Sequence, residues 1–302
     1  MKFSALIHVF NEELCLPYSL GGLLPIVDEC IIVDGSEVGI STDGTKAIIE
    51  NFQKQYGDKI TYLSGTYNRD GSWDNTAQNN VGLSHVTGDF VMRTHGDLVY
   101  DVEDVANIRE IVEKYSYKKL FYCPMIDFFV DTNNHLLSSR VEPETKLRRE
   151  ICGDAVAYSM ESNPRYVDYI YKEKWVKSGI AWNLNWNKDI LYLPHIKRFH
   201  YASVKPFKYQ IAKYVRNVIK SDMQELGDEL KAKGRKAIFD WAIDQVKTTL
   251  ILTNGTEYAG EYPIISEPIQ HITAMDGYDE FMDWYNSGTD YERSDWYGLV
   301  GS

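Results

Sequence analysis

Basic charge is in short supply: 32 lysines and arginines stand against 44 aspartates and glutamates, a formal net charge of −12. That balance opposes a general attraction to nucleic acid or anionic membrane, although a local basic cleft remains compatible with it. Long apolar runs are missing as well, none approaching the roughly 20 residues that a membrane helix needs. The opening residues, Met1-Lys2-Phe3-Ser4-Ala5-Leu6-Ile7-His8, start a strand that soon meets Asn11-Glu12-Glu13, so the apolar core of a secretory signal is absent. A cytoplasmic protein without membrane insertion is expected. The four cysteines, Cys15, Cys30, Cys123 and Cys152, are scattered without metal-ligand spacing and no Cys-x-x-Cys occurs. They read as buried free thiols in a reducing compartment.

What the chain has is core-forming capacity. Its 302 residues are 44% hydrophobic and 25% charged, enough for one large domain or one domain with a helical appendage. The first hundred residues alternate strand and helix. Residues 5–10 form an apolar run, 12–24 are helical in pattern and stopped by Pro25, and 29–33 are a second run rich in Ile and Val. Residues 45–56 place Ala47, Ile48, Ile49, Phe52 and Tyr56 at helical spacing before Gly57, and 59–63 give a third strand. A helix over about 75–85 leads to a further strand at 89–97. This rhythm predicts a mostly parallel sheet with right-handed crossovers, its ligand crevice beyond the carboxyl ends of the strands.

Beyond Asp97 a helix carries Val102, Val105, Ile108, Ile111 and Val112, and residues 120–130 follow as another apolar stretch. Shorter, more polar segments with strand character come next. Phe207, Ile211, Tyr214, Val215, Val218 and Ile219 form an amphipathic helix face, and Ala237, Ile238, Trp241, Ala242 and Val246 suggest another. From about Asn254 the chain turns acidic and aromatic, with Asp283-Trp284-Tyr285 and Asp295-Trp296-Tyr297. That tail either folds over the body or binds something. Arg148-Arg149 and the cluster at Lys231–Lys236 invite a nucleic-acid reading, but charge runs this short usually make a solvated helix face.

Five segments in order carry a family resemblance. Ile7-His8-Val9-Phe10-Asn11-Glu12-Glu13 resembles the opening strand and loop of family 2 glycosyltransferases, where a Pro-x-Tyr-Asn-Glu pattern is usual. Ile32-Val33-Asp34-Gly35-Ser36 followed by Asp43-Gly44-Thr45 is similar to their Asp-Gly-Ser-x-Asp-Gly-Thr signature with residues 37–42 inserted. Ala77-Gln78-Asn79-Asn80-Val81-Gly82 resembles their Ala-Arg-Asn-x-Gly helix. Gly88-Asp89-Phe90-Val91 through His95-Gly96-Asp97 resembles the strand that ends in Asp-x-Asp, with His95 in place of the first Asp. Residues 189–194 through His200-Tyr201 resemble the strand and His that close the same catalytic domain, and the Lys205-Pro206 that follows is similar to the closing motif of glycogenin-like transferases.

The resemblance implies a GT-A fold: a Rossmann-like α/β catalytic domain over 1–206, then a helical and irregular region over 207–302. It implies transfer of a sugar from a nucleoside-diphosphate sugar donor to a hydroxyl acceptor, with a divalent ion, Mn2+ or Mg2+, on the donor's diphosphate. Asp97 and His200 are the metal candidates, against an Asp that caps a turn and a satisfied structural histidine. If His95 touches the ion, its imidazole favours manganese over magnesium; otherwise it contacts the donor sugar or ribose. Phe10, Asn11 and Glu12 would lie beside the base, and Asp34 would accept from base or ribose. Asn80, Arg93 and Lys205 complete the donor set, though each also has a structural reading: a helix support, an ion-paired strand residue and a solvated lysine.

No Glu-Asp pair stands where an inverting enzyme of this family keeps its catalytic base, so Glu173 and Asp154 share that candidacy; a retaining enzyme would need neither. Trp175, Trp182 and Trp186 are either an acceptor platform or core. The acceptor is a glycan or, compatible with the fold but disfavoured by the net charge, a modified nucleobase hydroxyl in DNA, which would have to leave its stack. The altered His-Gly-Asp and the missing Glu-Asp also admit a non-catalytic nucleotide-sugar or glycan binder. A nucleotidyltransferase is disfavoured because the Gly-rich, Lys/Arg-bearing first loop is absent.

Overall fold

The computed structural model describes residues 1–36, 39–65, 68–69, 72–73, 75–100, 102–123, 125–129, 131–137, 156–171, 174–181, 186–193, 195–196, 198–203, 205–219, 224–252, 256–257 and 277–287. The chain divides into two compact units. The first takes the described residues up to Ile126, those from Leu137 to His200, and none of the C-terminal helices; the second takes Asp127–Leu136 and the described residues of Tyr201–Glu261 and Pro268–Ser302.

The first unit is built on a seven-stranded sheet in the order Ile190–Tyr192, Leu120–Tyr122, Ala157–Ser159, Phe90–His95, Phe3–Val9, Glu29–Asp34, Ile60–Ser64. Its four strands from Phe90–His95 to Ile60–Ser64 are parallel, as is the outer pair Ile190–Tyr192 with Leu120–Tyr122, and Ala157–Ser159 runs antiparallel between the two groups. The central strand Phe3–Val9 is buried on both faces, which is why it reads as an apolar run with little alternation. Alternate residues still serve different layers. Phe3, Ala5, Ile7 and Val9 pack with Leu16, Leu20, Ile49, Val105 and Ile108 from three helices, whereas Leu6 packs with Ile31, Val33, Leu83, Val91 and Tyr166 on the opposite face. The mostly parallel sheet flanked by helices is the α/β architecture expected from the sequence.

Local chemistry sets the helix bounds. The helix expected over 12–24 spans Leu16–Leu23, because Asn11 and Glu12 are held in the preceding loop; Pro17 falls in the first turn, where its missing N–H costs nothing. Thr45–Tyr56 forms as read and ends at Gly57, whose φ of 58° suits a residue without a side chain. Asn75–Ser84 lies close on the sheet: a Cβ at Gly82 would come within 2.6 Å of Val33 and 2.7 Å of Leu6. The apolar stretch over 120–130 holds two strands, Leu120–Tyr122 and Met125–Phe129.

The second unit holds the helices Phe207–Ile219, Gln224–Ala232, Arg235–Leu252 and Tyr278–Asn286, whose faces meet at Phe207, Ile211, Val215, Val218, Phe239, Ala242 and Phe281. Here the first Asp-Trp-Tyr tripeptide has a packing role: Tyr285 is buried in this core and Trp284 lies against Phe239 and Phe281. The second copy, at 295–297, lies outside the described residues, as does Arg148-Arg149. Two lysines of the basic cluster pair with acids four residues away, Lys233 with Glu229 and Lys236 with Asp240, as on an ordinary solvated helix. No described helix is long and apolar enough to cross a membrane.

Candidate active site

Three parallel strands end side by side at Val9, Asp34 and His95, and the register pairs Val9 with Asp34 and His8 with His95. The chain leaves the third strand through Gly96 and Asp97. Gly96 is needed for close approach: a Cβ there would stand 2.7 Å from Cγ of Glu12 and 3.2 Å from Val9. The short strand that follows, Leu98–Tyr100, pairs antiparallel with Arg198–Ser203, placing Phe199 opposite Val99 and His200 opposite Leu98. Arg198, almost fully buried, donates from Nη2 to the Cys123 carbonyl at 3.4 Å and ties that strand to the body of the sheet.

This pairing returns residue 200 to residue 97 across a hundred positions of chain. His200 Nε2 lies 3.7 Å from Asp97 Oδ1, with side chains 26% and 12% exposed. The distance is too long for a hydrogen bond but fits two ligands of one ion, since groups each about 2.1 Å from a shared Mn2+ or Mg2+ can stand up to about 4.2 Å apart. Among the described residues no cluster of three or more His, Cys, Asp or Glu side chains forms. A site with two protein ligands, completed by water and donor phosphates, is the usual way that Mg2+-like ions are held.

The loops after the first two strands are laced together. Asn11 takes a left-handed backbone with φ of 54°, a conformation that Asn tolerates best among residues with a side chain. Its N–H donates to Ser41 Oγ at 2.9 Å and its side-chain oxygen accepts from Thr42 N–H at 2.9 Å. Glu12 N–H donates to Thr45 Oγ1 at 2.7 Å, and the Glu13 carboxylate accepts from Gly44 N–H at 2.8 Å. The inserted segment therefore closes back on the opening loop, and Ser41 is its pivot.

Asp34 is fully buried at the centre of this lacing. Its Oδ1 accepts from Ser41 Oγ at 2.6 Å and from Ser41 N–H at 3.0 Å, and its Oδ2 accepts from Tyr62 OH at 2.7 Å. Burial pushes the Asp34 carboxyl up, against those hydrogen bonds from Ser41 and Tyr62. A carboxylate offers about four acceptor positions, so three are used within the protein. Neither Ser41 nor Tyr62 was singled out by the sequence reading. Tyr62 could have been: it pairs with Ile32 on the next strand, and the period of two puts its side chain on the same face as Asp34.

Other predicted residues are distributed more widely. Asn80 spends both ends of its amide on the main chain of Tyr166, donating to its carbonyl and accepting from its N–H, each at 2.9 Å, so it clips the Asn75–Ser84 helix to the strand Arg165–Tyr171. Arg93 lies over the ring of that same Tyr166, 5.5 Å from its centroid. Phe10 is half-buried at the end of the first strand and Glu12 is buried beside Gly96. Lys205 belongs to the second unit, where its carbonyl accepts from Gln210. Glu173, Asp154 and Trp182 lie outside the described residues, as do the side chains of Trp175 and Trp186. One residue that the sequence reading passed over stands at the centre of the edge: His8, its ring between those of His95 and Tyr166.

Residues 4–179 match the family model described as glycosyl transferase family 2. No curated protein matches the chain. Among solved structures, residues 1–349 of S. aureus TarS share 16% identity, cover 82% of this chain and 71% of their own, and superpose with a TM-score of 0.47. The same fragment in complex with UDP-GlcNAc gives 14% identity, 82% and 72% coverage and a TM-score of 0.43. Glucosyl-3-phosphoglycerate synthase from Mycobacterium tuberculosis, in complex with Mn2+, UDP-glucose and phosphoglyceric acid, gives 17% identity, 41% and 44% coverage and a TM-score of 0.32.

Proposed function

We propose that this chain, which belongs to glycosyl transferase family 2 and is a glycosyltransferase, moves a sugar from a nucleoside-diphosphate donor to a hydroxyl acceptor with a divalent cation held by Asp97 and His200. The observation that carries this reading is the 3.7 Å approach of His200 to Asp97 at the carboxyl edge of the sheet. Residues so far apart in sequence have no local reason to meet, and a carboxylate facing an imidazole suits manganese better than magnesium. When bound, the ion would offset charge on the donor's diphosphate and ease departure of the nucleoside diphosphate.

The remaining roles fall to side chains around it. Arg93 and His95, on the strand that delivers Asp97, face the phosphates and ribose. Phe10, Asn11 and Glu12 wall the base, and Asp34 fixes that wall through Ser41 while keeping about one acceptor position for base or ribose. Asn80 contributes by holding the strand that carries Tyr166. Glu173 or Asp154 takes the proton of the attacking hydroxyl if the reaction inverts.

A panel of nucleoside-diphosphate sugars with Mn2+ or Mg2+, read by thermal shift and by release of nucleoside diphosphate, tests the proposal. Ligand that binds only the native state raises its melting temperature by mass action. One donor should do so strongly with Mn2+ and less with Mg2+. If no sugar nucleotide shifts the transition with either ion, the proposal fails.

A further inference from the structure

The hydrogens around Asp34 all point one way. Ser41 gives Oδ1 both its hydroxyl and its main-chain N–H, at 2.6 and 3.0 Å, and Tyr62 gives Oδ2 its phenol at 2.7 Å. The Ser41 hydroxyl is bonded on both sides, because its oxygen also accepts from Asn11 N–H at 2.9 Å. Three donors suit an ionised acceptor: a bond to a charged partner is about twice as strong as a neutral one, so protonation of the carboxyl would weaken all three. Burial, and to a lesser degree the charge of Asp43, push towards that protonation, and the bonds from Ser41 and Tyr62 hold against it.

The chain of bonds leads from the third strand to the opening loop. Tyr62 packs its ring against the main core cluster and brings only its hydroxyl to Asp34. Ser41 comes from the inserted segment and passes the hold on to Asn11, whose left-handed backbone, with φ of 54°, is a costly conformation for a residue with a side chain. The Asn11 side-chain oxygen is fastened as well, by Thr42 N–H at 2.9 Å. A conformation of this kind persists where its surroundings over-determine it, and here they do so at the residue assigned to the wall of the base.

We propose that Tyr62 and Ser41 are positioning residues for the nucleotide site: they hold the Asp34 carboxylate in one orientation, and the carboxylate, through Ser41, fixes Asn11 where the donor base is to lie. The cradle stands on its hydrogen bonds; its consequence for the donor rests on the glycosyltransferase reading above.

Carbon-13 spectra of the carboxyl groups across pH, with Asp34 assigned by Asp34→Asn, read the cradle without any ligand. The titratable neighbours are Asp43 and Tyr62 beside Asp34, Glu50 acting on Tyr62, and Glu13 across the lacing on Gly44 N–H, so their signals are followed in the same titration. Tyr62→Phe keeps the packed ring and removes one donor to the ionised form, which should raise the Asp34 midpoint by about one pH unit. Ser41→Ala should raise it likewise, and Ser41→Thr, which keeps the hydroxyl, should bring it back. A midpoint unmoved in Tyr62→Phe would overturn the proposal. With the preferred sugar nucleotide at pH 7, KM should rise about 10-fold in Tyr62→Phe, as for one lost bond to a charged group, with kcat within about a factor of two. The KM gap should widen as pH falls, because the variant loses the ionised carboxyl at a higher pH than the wild type does. A hydroxyl that served stability alone would lower the melting temperature and leave KM and its pH profile in place, and that result would also overturn the proposal. If the wild type binds no sugar nucleotide, the donor reading falls while the carboxyl titrations still decide the cradle.

Discussion

The two ends of the central strands are made of similar residues and put them to opposite use. At the amino edge several charged groups meet partners. Lys2 N–H donates to Asp89 at 2.7 Å, Phe3 N–H donates to Asp28 at 2.7 Å, and Arg109 grips both oxygens of Asp28 at 3.2 and 3.1 Å. Glu29 accepts from Lys2 Nζ at 2.6 Å, Ser4 Oγ at 2.7 Å, Thr87 N–H at 2.6 Å and Gly88 N–H at 3.2 Å. At the carboxyl edge the first strand presents a half-buried imidazole whose ring nitrogens close no hydrogen bond, the second presents a carboxyl pushed up by burial, and an Asp–His pair meets there at 3.7 Å. One edge joins charges of opposite sign directly and the other gathers carboxyl and imidazole groups side by side, the pattern expected where local rules yield to a site.

Substitutions should therefore separate the edges. The largest effect belongs to Asp97→Ala. If it holds the cation, the metal-dependent response to donor and the turnover should drop by more than about 100-fold, beyond what loss of a mere orienting partner costs. The melting temperature without ligand is the control that separates loss of the cation site from loss of the fold. Activity assays beside thermal melts would show it; a variant that melts early and still responds to donor would put Asp97 on the structural side of the comparison.

Next is Gly88→Ala, a change at the quiet edge. A Cβ there would overlap the Ser4 hydroxyl and lie 3.0 Å from the Lys2 carbonyl, both on the opening strand. Backbone cannot yield as a side-chain tip can, and overpacking of this kind costs about 1–3 kcal/mol. Denaturant melts should show that loss, while the affinity of the remaining folded protein for donor stays within a factor of two.

The contrast also explains what could be read from the sequence. Thr45–Tyr56 and the four parallel strands were legible because period and propensity agree with burial. Asp97 was legible as a candidate because strand exits carry ligands in such sheets, and His200 because residues 189–201 resemble the strand and His that close the family's catalytic domain. Their meeting was not, since it depends on the antiparallel pairing of Leu98–Tyr100 with Arg198–Ser203, two short segments without a strong pattern of their own. Asp34 was found at its strand end, but its partners came from the inserted segment and from the next strand, and loop closure leaves little trace in composition. Asn80 reads as a donor residue or a helix support, and its amide joins its helix to Tyr166 on a hairpin distant in sequence, a partner that no local pattern announces. His8 was hidden inside an apolar run, and only the register places it beside His95.

The smallest expected effect is the most pointed, because it is confined to one pH range. Burial alone would raise the Glu29 carboxyl, but hydrogen bonds from Lys2, Thr87 and Ser4 outweigh it and bring its pKa down to about 2, from 4.5. A carboxyl whose folded value lies below its unfolded one contributes stability above the unfolded value and loses it as pH falls through the folded one. Glu29→Gln removes that contribution and turns a donating NH2 toward groups that already donate. Lys2 is 44% exposed, so solvent screens the pair and the difference at pH 7 should be modest, about 1 kcal/mol. It should be constant from pH 7 to about 5 and shrink steadily below 4.5, with wild type and variant converging near pH 2. Urea melts across that range would give the curve. A gap that persists unchanged at pH 2.5 would mean that Glu29 acts there by shape and not by charge, and the amino edge would lose its claim to be the electrostatically satisfied half of the sheet.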